Sequence, residues 1–152
     1  MAWPEDLLSV ILAVVFGAMI GMEREFHGKA AGLRTNILIC LGAAVFTIIS
    51  RQMATGAEGS LTRIAAQIVT GVGFLGAGAI IQDRGGVHGL TTAATIWLVA
   101  SIGMACGARF YQLAFVTTVI AIIVLLGLAK LARPLEHHYE QNNRDNSSDD
   151  PL

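Results

Sequence analysis

Several residue groups in this sequence could do chemistry by type and spacing. Gly71, Gly73 and Gly76, inside TGVGFLGAG, match the G-x-G-x-x-G fingerprint that lets a backbone approach a pyrophosphate. The same TGVGF stretch is superficially like the glycine-rich filters whose carbonyl oxygens coordinate an ion. Glu23-Arg24 and Asp83-Arg84 are neighbouring opposite charges that could meet a charged partner, and His137-His138 are adjacent imidazoles of the type that ligates metal. Each depends on what positions it. A phosphate fingerprint needs a strand before it and a helix after it, a filter needs paired half-helices, and a closed metal site needs more ligands than two neighbours supply.

The elements available are helices of membrane length. Of 152 residues, 54% are apolar and only 14% charged, far from soluble averages. Apolar runs over 7–22, 35–50, 64–82, 88–107 and 110–130 approach the ~20 residues that cross a hydrocarbon core. The expectation is an all-α bundle of five transmembrane helices over residues 1–133, followed by a disordered acidic cytoplasmic tail at 134–152. Glu5 and Asp6 stand where a signal peptide has a basic region, so the first run is expected to remain as a helix.

That setting decides the motifs. Gly71, Gly73 and Gly76 fall in the middle of one apolar run with no strand before them, and a phosphate there would sit in hydrocarbon. The dinucleotide reading fails, and the filter reading is weakened by a run of ordinary spanning length. In lipid, glycine instead removes the Cβ that keeps helix axes apart. Gly71, Gly73, Gly76 and Gly78, with Gly17 and Gly21 and with Gly103 and Gly107, the last two pairs each a G-x-x-x-G, predict close helix packing. Cys40 and Cys106 read as small hydrophobes within apolar runs. Scattered basic residues and a net charge of −1 give no footprint for nucleic acid. No catalytic motif, cofactor or metal site is expected, and the histidine pair reads as part of a solvated tail.

Basic residues set the orientation. Arg24, Lys29, Arg34, Arg84, Lys130, Arg133 and Arg144 fall on one side and Arg51, Arg63 and Arg109 on the other, which puts the N-terminus outside and the tail in the cytoplasm. The two loops on the inner side echo each other: both open on a carboxylate and arginine, and both close on Gly-Leu-x-Thr, at Gly32–Thr35 and Gly89–Thr92. Thr35 and Thr92 are expected as helix N-caps, and Glu23 and Glu25 are expected to pair with Arg34 across the first hairpin. Gln67 one turn after Arg63, then Thr91, Thr92 and Thr95, are candidates for hydrogen bonds between helices. No Asp, Glu or His stands mid-segment, where cation-coupled transporters usually place ionisable groups.

Through GMERE, KAAGLRTN, GAAVF, RIAAQIVTGVGFLGAG and GLTTAATIWLVASIGMACG, from about Gly17 to Gly107, the sequence resembles the MgtC/SapB family of bacterial inner-membrane proteins. The resemblance implies a multi-pass plasma-membrane protein tied to growth under magnesium limitation and, in pathogens, to survival inside macrophages. It implies a non-enzymatic regulator of other membrane machinery, such as the F-type ATP synthase, with transport or channelling of Mg²⁺ or another cation as the alternative. The lipid bilayer and a second copy of the chain complete the candidate partners. The family's polar pattern falls on Glu23, Arg24, Glu25, Arg34, Thr35, Arg63, Gln67 and the Gly89–Thr95 stretch. The virulence branch carries asparagine where this chain has Thr91, and continues into a soluble domain that this chain is expected to lack.

Overall fold

A computed structural model describes residues 3–53, 59–83 and 86–127. The acidic tail with His137 and His138, Arg84, and the side chains of Arg63 and Asp83 lie outside the described residues. The described residues form five helices: α1 (Trp3–Phe26), α2 (Leu33–Met53), α3 (Gly59–Gly78), α4 (Leu90–Gly107) and α5 (Tyr111–Gly127). Among the described residues α1, α2 and α4 are long and apolar enough to cross a membrane, and the apolar parts of α3 and α5 are shorter.

The protein is a membrane protein, and its surface shows why. Leu38, Phe46, Phe74, Trp97, Phe110 and Ile123 are all more than half exposed, a spread of large apolar side chains that water would not tolerate and lipid solvates. The interior is built from two cores that share α2 and α4. One joins Ala13, Phe16 and Ile20 of α1 to Cys40 and Ala44, to Val99, Ile102 and Cys106, and to Ala114 and Ala121 of α5. The other joins Ile68 and Val72 of α3 to Ala43, Ile96 and Ala100.

Small residues let the first core close. A Cβ at Gly17 would stand 2.9 Å from the Cys40 Cβ, one at Gly21 2.8 Å from the Leu33 Cα, and one at Gly107 2.5 Å from the Ala44 carbonyl oxygen. At Gly103 it would fall on the Cys40 carbonyl oxygen. The glycines of α3 behave differently from expectation. Gly71, Gly73 and Gly78 have nothing within 4 Å of where a Cβ would be, and Gly76 has only ordinary contact with Ala93. The packed face of α3 carries Ile68 and Val72, so most of its glycines point elsewhere.

The expected third span ran to residue 82, but α3 stops at Gly78. Its last turn tightens into i→i+3 bonds, Ala79 to Gly76 and Ile80 to Ala77, after a glycine-dense stretch with weak helix propensity. A small antiparallel hairpin follows, β1 (Ile81–Asp83) against β2 (Gly86–His88). It feeds α4 through Gly89, whose left-handed φ of 86° and whose closeness to the Ala79 carbonyl both demand glycine. The two echoing loops therefore share only their ends: Gly32 and Gly89 each stand immediately before a helix and accept its first i→i+4 bond, from Asn36 and Ala93.

Candidate functional site

The last turn of α1 continues the core face of Ile20, so Glu23 and Arg24, three and four residues on, point inward. Both are buried, Arg24 to 3% exposure. The Arg24 guanidinium reaches α4, where its Nη2 donates to the Thr92 hydroxyl at 3.4 Å. Its Nη1 lies 3.8 Å from Glu23 Oε2. Arg24 Nε and Glu23 Oε2 are buried and make no hydrogen bond. Glu23 Oε1 is 3.1 Å from His27 Nδ1, which is also 2.8 Å from the Glu23 carbonyl oxygen. Both oxygens can only accept, so the bond requires the proton on Nδ1.

α1 ends just beyond, in a Schellman motif. Lys29 N–H bonds to the Arg24 carbonyl and Gly28 N–H to that of Glu25, with Gly28 in the left-handed region at φ 61°. The turn brings Glu25 back over the start of α2, where its Oε2 accepts from Leu33 N–H at 2.8 Å. A carboxylate thus satisfies a first-turn donor and meets the positive helix end. Asn36 pins the same loop, donating to the carbonyls of Ala31 and Gly32 at 2.7 and 2.8 Å, while its Oδ1 is buried and unpaired.

Two expectations are corrected here. Arg34 is exposed and pairs with neither Glu23 nor Glu25, because Glu25 caps α2 and Glu23 faces inward. Thr35 and Thr92 are not N-caps: each is the third residue of its helix, Thr35 exposed and Thr92 buried as the acceptor for Arg24. Thr95 bonds its own helix, to the Thr91 carbonyl at 2.7 Å, and Thr91 is exposed. Gln67 is exposed on α3 without a hydrogen bond to any described residue.

The opposite end holds a cluster that sequence reasoning missed. Asp6, one turn into α1, accepts from Arg51 Nη2 and from Arg109 Nη2 (3.1 Å) on Oδ1 and from Gln52 Nε2 (2.8 Å) on Oδ2. Arg109 also pairs with Glu5. Tyr111 stands 2.9 Å from the Ser9 hydroxyl and donates to the Glu5 carbonyl at 3.2 Å. The start of α1, the end of α2 and the α4–α5 turn are thereby tied together. A signal was available: Glu5 and Asp6 fall on the same side of the membrane as Arg51 and Arg109, so their charges had to meet or face water.

Among the described residues no three His, Cys, Asp or Glu side chains come together. What the hairpin end offers instead is a buried, incompletely satisfied guanidinium and carboxylate at the mouth of a lipid-embedded bundle. A polytopic helical membrane protein with polar corners at both ends is the class that fold and sites define. Residues 10–134 match the model of the MgtC family. The chain is 48% identical over 124 residues to protein MgtC of Brucella abortus, covering 82% of this chain and 51% of that protein. It is 45% identical over 127 residues to YhiD of Escherichia coli K12, whose name carries a provisional description as a magnesium transporter, covering 80% and 59%. With an uncharacterized Synechocystis protein it shares 40% identity over 137 residues, covering 90% and 58%. The chain belongs to the MgtC family. It spans between 51% and 59% of the length of these relatives. No solved structure matches it.

Proposed function

We propose that this chain is a non-enzymatic, multi-pass protein of the bacterial inner membrane that regulates other membrane machinery under magnesium limitation. Its N-terminus is external, and it engages its partner through the hairpin end around Glu23, Arg24 and Thr92. The F-type ATP synthase is one partner of this kind. The observation that carries the reading is the filling of the bundle. Among the described residues the mid-depth interior is closely packed and uncharged, its buried Thr95 and Thr118 hydroxyls bonding to carbonyls of their own helices, and the described charged groups of α1, α2 and α4 gather at the two ends. A permeating hydrated cation would need polar ligands or water along that interior, whereas a regulator needs only a shaped end. Cation transport is the second reading, favoured by the description attached to the E. coli relative.

Reconstitution into liposomes holding a Mg²⁺-sensitive dye separates the two. The regulator reading expects no flux above that of protein-free liposomes, together with loss of growth support in low magnesium for Arg24→Met. A flux abolished by Glu23→Gln would establish transport, with this carboxylate at the inner mouth. Alkaline phosphatase fused after Gly107 should be active if the orientation is right, and inactivity there would invert it.

A further inference from the structure

Between α2 and α3 lies an open groove of about 650 Å³. Leu38, Gly42 and Phe46 form one wall at helical spacing, and Gln67, Gly71 and Leu75 form the other. At its middle Gly42 and Gly71 both have empty space where a Cβ would stand, flanked by the larger side chains. That shape is a saddle that a rod-like helix fits, with close backbone approach at the two glycines.

One group in the groove is out of place. Gln67 is exposed there with no hydrogen bond to a described residue, one helical turn after Arg63 and about 6 Å along α3 from Gly71 at ~1.5 Å per residue. It stands within the apolar part of α3, Ala65–Gly78, where lipid offers an amide neither donor nor acceptor and an unmade hydrogen bond is costly. An acyl chain would fill the groove and leave the amide unsatisfied. A carboxamide, by contrast, is its own complement, because its N–H donates to the carbonyl oxygen of another. Two-fold symmetry is the operation that brings a residue to face itself.

We propose that this groove receives α3 of a second copy of the chain, with the two Gln67 amides paired across a two-fold axis and Gly42 and Gly71 setting the approach. The interface deepens nothing in the regulatory reading and stands apart from it, since it uses groove-lining faces of α2 and α3 that the hairpin end does not.

The test uses the full chain in lipid bilayers. Gln67→Cys and Gly71→Cys should each give a disulfide-linked dimer on mild oxidation. Wild type, whose Cys40 and Cys106 are buried, and Leu113→Cys on the exposed face of α5 should not. In a dilution series read by energy transfer between labelled copies, Gln67→Leu should weaken the dimer about tenfold and Gln67→Asn should retain most of it. Leucine is at home on a lipid-facing helix, so the variant remains foldable. A monomer at every protein-to-lipid ratio overturns the proposal, as does a dimer indifferent to Gln67→Leu or one cross-linked as readily through Leu113→Cys. A monomer that retains a phospholipid until Gly71→Leu displaces it assigns the groove to an acyl chain instead.

Discussion

The two ends of the bundle solve the same problem, charged groups near a lipid boundary, in opposite ways. At the N-terminal end Asp6 engages both carboxylate oxygens with donors from α2 and from the α4–α5 turn, and Glu5 and Tyr111 add further ties. At the hairpin end Arg24, more deeply buried, has one long bond to Thr92, a loose approach to Glu23 and an unpaired Nε. Among the described residues the N-terminal network leaves only Arg109 Nε buried and unpaired, whereas at the hairpin end Arg24 Nε, Glu23 Oε2 and Asn36 Oδ1 all lack a partner. The more fully satisfied network locks helices together, and the less satisfied one costs stability and leaves groups that a partner could complete. The first end reads as a clamp and the second as a docking point.

The clamp should therefore dominate stability. Asp6→Ala leaves Arg51 and Arg109 without their shared acceptor in a partly buried place, which should cost about 3 kcal/mol, the low end for breaking a buried pair. Thermal unfolding in detergent micelles reads it. A loss under 1 kcal/mol would abolish the contrast between the ends.

A smaller effect sharpens the comparison at the two helix stops. α4 ends in the same Schellman motif as α1, with Phe110 N–H bonded to the Ala105 carbonyl and Arg109 N–H to that of Cys106, yet its left-handed residue at φ 67° is arginine where α1 has Gly28. A non-glycine residue there costs about 1 kcal/mol, accepted because its side chain reaches Glu5 and Asp6. Arg109→Ala should thus be about 1 kcal/mol worse than Arg109→Gly, both having lost the ion pairs. Gly28→Ala at the other end should cost a similar amount by creating the strain. Equal stability of the two Arg109 variants would show that the backbone there is relaxed.

How much of this was legible follows from which interactions are local. Apolar runs and turn glycines mark helices one by one, so the five-helix fold and the loop endings at Gly32 and Gly89 could be read directly. Glu23 and Arg24 stood out because they interrupt an apolar helix. Their partners did not, since Thr92 lies 68 residues away and a helix-capping role for Glu25 depends on how sharply the α1–α2 turn folds back. Asp6 was visible only as an acid near the start. Its meaning lies in contacts with residues 45 to 103 positions on, and no periodicity records those. The glycines of α3 misled for a related reason: glycine allows close approach but does not say which face a neighbour covers.

The smallest expected change in stability is the most informative about function. Replacing Glu23 and Arg24 together, as Glu23→Leu with Arg24→Met, removes two buried charges that satisfy each other poorly, so the bundle should stay within about 1 kcal/mol of wild type or gain. Each single change strands the other charge and should be worse than the pair, a coupling that a double-mutant cycle measures directly. If the hairpin end is a docking point, the double variant should accumulate and melt like wild type yet fail to support growth in low magnesium. Strong destabilisation by the double variant would make this corner a second clamp, and intact growth in a stable double variant would remove it from the function altogether. The two ends can be told apart only by this dissociation, because losing function together with the fold would follow from damaging either one.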